Sequence, residues 1–207
     1  PSLPGGLLPD GSPSGVPDDA EARWRSLLTE IRQHFNGSIY WAHPYRDTLP
    51  PAPAFIDAFD GIYLLWSVPL GANANDLDSM TAEAARRMES DLLPFLAQTH
   101  KSVILALYYP SAAGTDRGCI ASGLGGCLDP RALERPAADV PGATLDTQTQ
   151  FNLYQAVLNA INTREWIGGL IARGYYSPAA LMDKSASVRN KPTGDLLWYW
   201  FPRLLGK

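Results

Sequence analysis

Four short apolar runs, separated by stretches of helical periodicity, constrain the fold of this chain more than any other feature. They cover residues 38–42, 61–67, 103–109 and 166–172. The second and third are apolar at successive positions, so both of their faces need cover, as in a parallel sheet packed beneath helices. Asp18-Asp19-Ala20-Glu21 opens a helix ahead of the first run, with Asp18 as cap and Glu21 at the capping-box position. Trp24, Leu27, Leu28, Ile31 and Phe35 form its apolar stripe, and Asn36-Gly37 stops it. His43-Pro44 ends the first strand, and a short helical turn is expected over 54–59. One long helix is predicted from about Ser79 to Thr99, with Met80, Ala84, Met88, Leu92 and Leu96 in line. Asp146 caps a further helix carrying Phe151, Tyr154, Val157, Leu158 and Ile161, and an aromatic-rich helix over 191–204 closes the chain. Buried strands alternating with helices define an α/β fold with a parallel sheet.

Composition excludes several classes. The chain has 207 residues, 45% of them hydrophobic, which is enough to bury a core and too many for a disordered segment. Its formal net charge is −4, and Arg86-Arg87 is the one basic pair of note, so no nucleic-acid partner is expected. No apolar run approaches the roughly 18 residues that a membrane span needs. Residues 1–17 are rich in Gly, Pro and Ser, lack the apolar stretch of a signal peptide, and do not begin with Met. The expectation is a chain that starts at a processing point or inside a longer sequence, with 1–17 a loop and 18–207 the folded unit.

Cys119 and Cys127 are the two cysteines, and Gly-rich sequence lies between them. Such a spacer lets the chain turn back on itself, which favours a local disulfide over two free buried thiols. A disulfide implies an extracellular or cell-surface location. With no histidine near them in sequence they make half a zinc site at best, and no metal or other cofactor is expected. Both lie in a Gly/Pro/Ala-rich loop over 111–145, a length that is usually functional or disordered.

Four strands are too few to close a (β/α)8 barrel, and a helix precedes the first of them. The pattern fits the C-terminal half of a TIM barrel, strands five to eight. A small flavodoxin-like sheet is the alternative, although no Gly-rich phosphate loop follows any strand.

Several segments in order carry a family resemblance. The stretch 24–42 (Trp-Arg-Ser-Leu-Leu-Thr-Glu-Ile onward) is similar to the helix and fifth strand of the mannanase-like barrels of glycoside hydrolase family 113, in the large retaining clan. Phe59-Asp60-Gly61-Ile62-Tyr63-Leu64 resembles their entry to strand six. Residues 146–154 resemble the helix before the last strand, Trp166-Ile167-Gly168-Gly169-Leu170 strand eight, and 184–200 the closing segment. The resemblance covers nearly the whole chain. It implies a carbohydrate partner and a retaining mechanism with two Glu residues about 5–5.5 Å apart. The acid/base would follow strand four, in an N-terminal half-barrel outside this sequence. The nucleophile would end strand seven, and matching Tyr109-Pro110-Ser111 to the family pattern puts Ala106 at that position. Alanine has no oxygen to form a glycosyl–enzyme ester. Asp116 is the nearest acid that could substitute, with a solvated loop residue as the alternative reading. The resemblance therefore implies a binding or structural barrel, or an active hydrolase completed by the N-terminal half.

Sites in such barrels lie at the C-terminal ends of the strands. That rule selects His43 and Tyr45 after strand five, Trp66 after six, Tyr108 at seven, and Arg173 and Tyr175 after eight as expected substrate-binding residues. Aromatic rings there suit the C–H faces of sugars, although Trp66 is equally placed for core and His43 for a satisfied loop histidine. Tyr108 and Tyr109 alternate, so one faces inward and the other toward the helices. Arg173, charged at the end of an apolar strand, needs a partner, either Asp183 or a ligand. No carboxylate is expected within reach of Ala106.

Overall fold

The computed structural model describes residues 15–71, 76–123, 125–128, 130–134, 136, 140–176 and 182–206. Most of the expected loop 1–17 therefore lies outside the described residues. Helix α1 (Ala20–His34) leads into strand β1 (Tyr40–Tyr45), then a 3-10 turn at Ile56–Ala58 and β2 (Gly61–Trp66). Helix α2 (Leu77–Arg87) runs through a π-helical turn at Met88–Leu92 into α3 (Leu93–Thr99), followed by β3 (Ser102–Leu107). After the small hairpin β4 (Ile120–Ala121) and β5 (Cys127–Leu128) come α4 (Thr147–Ile161), β6 (Gly169–Ala172) and α5 (Pro192–Leu204). Strands β1, β2, β3 and β6 form one sheet in that order, every pair parallel. This is the α/β half-barrel arrangement, with β1 and β6 as its edges.

Among the described residues, the helices cover one face of the sheet, and the other has side chains left half-buried or exposed away from the strand mouths. Ile62, Leu64, Trp66, Val103, Leu105 and Leu107 pack with Met80, Ala84, Met88, Leu92, Leu153 and Val157 into the main core. On the opposite face Tyr63, Leu65 and Ile104 are half-buried, while Ala42, Pro44 and Ile171 are exposed. Apolar side chains on that second face explain why the strands read as apolar throughout.

Three local details depart from the sequence reading. Asp18 does not cap α1: the cap residue is Asp19, with no side-chain capping bond, and Glu21 pairs with Arg25 instead. The single long helix is interrupted by the π turn ahead of Pro94. A proline there has no N–H for a bond to the preceding turn, and the backbone takes up the mismatch by widening. Its stripe nevertheless stays in register, with Met80, Ala84, Met88 and Leu92 fully buried. Finally, β1 does not stop at His43-Pro44 but runs on to Tyr45. The carbonyls of Ile39 and Tyr45 accept from Asp60 and Ser67, so odd-numbered residues bond to β2. Pro44 sits at an even position on the open edge, where no donor is required.

Asp146 caps α4 as expected, accepting from the Thr149 amide at 2.9 Å and its hydroxyl at 2.6 Å. Described residues of the long loop pack around a small core of their own, Ala112, Ile120, Leu133 and Ala143. Cys119 and Cys127 are disulfide-bonded across its hairpin, with Cα atoms 4.8 Å apart.

Candidate functional site at the strand mouths

The C-terminal ends of the four parallel strands surround a cavity of about 410 Å³. Pro44, Tyr45 and Arg46 line it from the end of β1, Leu65 and Ser67 from β2, Tyr108 from β3, and Arg173 from β6. Pro130 and Glu134 close it from the long loop. Alternation puts Pro44, Leu65, Tyr108 and Arg173 on the same face as Ala106, which lies in register between Leu65 and Ile171. Ala106 itself is fully buried.

Polar contacts hold the loop onto the mouth. The Tyr108 hydroxyl donates to the Pro130 carbonyl at 2.7 Å. Arg173 Nη2 donates to Glu134 Oε1 at 2.6 Å, and the guanidinium lies 5.7 Å from the centre of the Tyr108 ring. The Ala186 amide donates to the Leu133 carbonyl at 3.0 Å. Arg46 Nη2 donates to the Gly118 carbonyl at 2.6 Å. Gly118 has φ +69°, and a side chain there would meet Pro69 at 2.7 Å, so glycine is required where Arg46 is anchored.

Of the six expected binding residues, Tyr108, Arg173 and Tyr45 line this cavity. The Tyr45 ring, however, belongs to the helix-side core, where it meets Trp66 edge-on and donates to Asp91 at 2.5 Å. Burial, with the Asp91 carboxylate beside it, pushes its phenol well above the usual range. Trp66 also faces the helices, fully buried, with its indole N–H donating to the Tyr109 hydroxyl at 2.8 Å. His43 shares that side, stacked on Phe95. Its Nδ1 accepts from Trp41 at 3.2 Å and its Nε2 meets the Pro50 carbonyl at 2.8 Å. Burial lowers its pKa against the opposing effect of the Pro50 contact. These three placements follow from strand faces: residues 41, 43 and 45 of β1 and 62, 64 and 66 of β2 are turned to the helices. Tyr175 lies elsewhere, exposed beside α5 under the Arg189 guanidinium, in an open cleft along the β6 edge.

Arg173 pairs with Glu134 rather than with Asp183, which is held by Lys191 at 3.1 Å in a buried pair. The loop also brings a carboxylate to the mouth, Glu134, from 39 residues away in the sequence. Asp116 is buried rather than solvated; its backbone carbonyl accepts from Leu70 and Gly71, and it does not line the cavity. Sequence reasoning missed Glu134 and Arg46. No local pattern marks Glu134, but Arg46 follows from letting the first strand run two residues further. Among the described residues no cluster of three or more His, Cys, Asp or Glu is arranged to hold a metal ion.

Solved structures of GH113 β-mannanases share this fold. A complex of a GH113 β-1,4-mannanase superposes with a TM-score of 0.54 at 20% identity, over 87% of this chain and 50% of that one. The GH113 β-mannanase AaManA from Alicyclobacillus acidocaldarius, in complex with ManMIm, gives a TM-score of 0.56 at 18% identity, over 90% and 53%. The chain thus spans about half the length of these proteins and has the fold of half of a GH113-like TIM barrel. No protein-family profile matches it, and no curated protein does.

Proposed function

We propose that this chain is the C-terminal half of a glycoside-hydrolase-like barrel that binds carbohydrate at its strand mouths without cleaving it, in an extracellular or cell-surface protein. The observation that carries this reading is Ala106, a methyl group on the cavity-facing side of β3 at the position that the resemblance gives to the nucleophile. A retaining enzyme needs an oxygen there, within about 3–3.5 Å of the anomeric carbon. An N-terminal half-barrel, in the same polypeptide or another chain, would pair with β1 and β6 and cover the apolar inner face. The disulfide supports the location, since such bonds persist in oxidising compartments.

Glu134 favours a second reading, an active hydrolase in which this loop carboxylate replaces the missing group. Assays on mannan, glucan and chromogenic glycosides separate the two, comparing the intact protein with its Ala106→Glu, Glu134→Gln and Asp116→Ala variants. The binding reading expects no turnover from the unmodified protein. Turnover abolished by Glu134→Gln establishes the second reading, and turnover abolished by Asp116→Ala makes Asp116 the nucleophile.

A further inference from the structure

We infer that the strand-mouth cavity selects a carboxylate-bearing saccharide, a uronic acid unit, over a neutral sugar. This rests on the carbohydrate reading above and narrows it to a substrate class. Among the described residues, three charged side chains line the cavity: Arg46, Arg173 and Glu134. Glu134 neutralises Arg173 through their ion pair. Arg46 has no carboxylate partner among the described residues, and its Nη2 is spent on a neutral backbone carbonyl. Its Nε is buried and makes no hydrogen bond. Among the described residues, the cavity wall therefore carries one uncompensated positive charge.

The surroundings strengthen its pull on an anion. Pro44, Leu65, Tyr108 and Pro130 supply apolar walls, and a charge bordered by low-dielectric material acts with less screening than one in open solvent. A guanidinium is also the side chain best matched to a carboxylate, because its planar donors meet both oxygens. The Tyr108 hydroxyl donates to Pro130, and its ring lies beside the Arg173 guanidinium. Glu134 occupies one of the two guanidinium groups as an internal stand-in for the ligand's carboxylate. It competes with an acidic sugar for Arg173 and repels it, so neutralising Glu134 strengthens acidic-sugar binding. A residue that merely holds the loop would have the opposite effect.

Calorimetric titration of the intact protein with oligogalacturonate, oligomannuronate and oligoglucuronate, against mannotriose and cellotriose, tests this. The expected result is binding of an acidic oligosaccharide at least about tenfold tighter than of either neutral one, weakening with added salt. Glu134→Gln, nearly isosteric, tightens acidic binding several-fold and raises the ratio of acidic to neutral affinity. Arg46→Gln weakens acidic binding about ten- to hundredfold, the loss of a charge-assisted contact. Arg46→Lys keeps the charge, loses the planar donors and falls between. Each variant is compared with the parent by near-ultraviolet circular dichroism, and the salt dependence of the unmodified protein stands if one fails to fold. Neutral sugars binding as tightly as acidic ones, or Glu134→Gln weakening acidic binding, overturns the inference while the carbohydrate reading survives. Binding of no sugar in the set overturns both.

Discussion

Arg173 at the end of β6 and Glu134 in the long loop are joined by a 2.6 Å ion pair that fastens the loop across the strand mouths. Both side chains are about one-third exposed, so the pair contributes little to global stability. Its consequence is positional, because it brings a carboxylate to a mouth where Ala106 offers none. Arg173→Gln is expected to leave the thermal midpoint nearly unchanged while speeding proteolytic nicking within 111–145. A large fall in the midpoint without faster nicking would show that Arg173 supports the core instead.

The Trp66–Tyr109 pair is structural. Trp66 donates to the Tyr109 hydroxyl, which in turn donates to the Val68 carbonyl at 2.8 Å, all within the buried core. Tyr109→Phe leaves the indole N–H and the carbonyl without partners in a dry site, at a cost of about 1–3 kcal/mol for each group left unsatisfied. Urea unfolding should show that loss with an unchanged slope, and ligand binding at the mouth should not change. Altered sugar affinity in Tyr109→Phe would argue that the helix-side core reaches the site.

These placements show how far the sequence could be read. Parallel order, strand count and the stripe Met80-Ala84-Met88-Leu92 follow from periodicity, because a buried face imposes its spacing on the residues that fill it. The disulfide was legible from a glycine-rich spacer. Strand face was not. Ending the first strand at Ala42 treated His43 and Tyr45 as loop residues free to turn to the mouth, whereas pairing continues to Tyr45 and fixes them toward α3 and the π turn. Glu134 was illegible for another reason: its position depends on a loop folded around Ile120 and Leu133, and such tertiary packing leaves no periodic trace.

The buried pair Lys191–Asp183 makes a stability prediction. The side chains are 5% and 3% exposed, and Lys191 Nζ also donates to the Ser185 carbonyl at 2.8 Å. Burial lowers the Lys191 pKa, against the opposing pull of Asp183. Asp183→Asn leaves an ammonium buried without its counter-charge and should cost about 3–5 kcal/mol. Lys191→Met with Asp183→Leu should recover much of that loss, since an apolar pair of similar volume needs no desolvation. A double variant no more stable than Asp183→Asn would show that the hydrogen bonds to Ser185, rather than the charges, hold this segment.

Removing the disulfide should loosen the mouth more than the core. Cys119 and Cys127 close a loop with a sequence separation of 8, for which chain entropy gives about 2–3 kcal/mol. That amount acts locally, because the loop has a small core of its own, separate from the main one. Cys119→Ser with Cys127→Ser is expected to raise amide exchange around 118–128 and lower sugar affinity, since Gly118 anchors Arg46. Exchange in α2 and α4 should be unchanged. Global loss of protection would instead make the hairpin part of the main folding unit.

His43 sets a pH dependence with a definite sign. Its Nδ1 accepts from the Trp41 indole, so a proton added there would face another donor, and burial further opposes the charge. The folded pKa therefore lies below the unfolded value of about 6.5. Between those two values the unfolded chain binds more protons than the native one. Stability is fully present above about pH 6.5 and falls as the pH drops toward the folded pKa. Urea midpoints measured from pH 7.5 down to pH 5 should decline, and His43→Gln, which does not titrate, should show a shallower decline despite a lower starting midpoint. Acidic surface pairs such as Arg25–Asp57 do not imitate this window, because carboxylates with lowered pKa values lose their contribution only at lower pH. Equal slopes for the two proteins between pH 7.5 and 5 would mean that His43 takes up its proton in the folded state as readily as in the unfolded chain, and the Trp41–His43–Pro50 arrangement would not hold in solution.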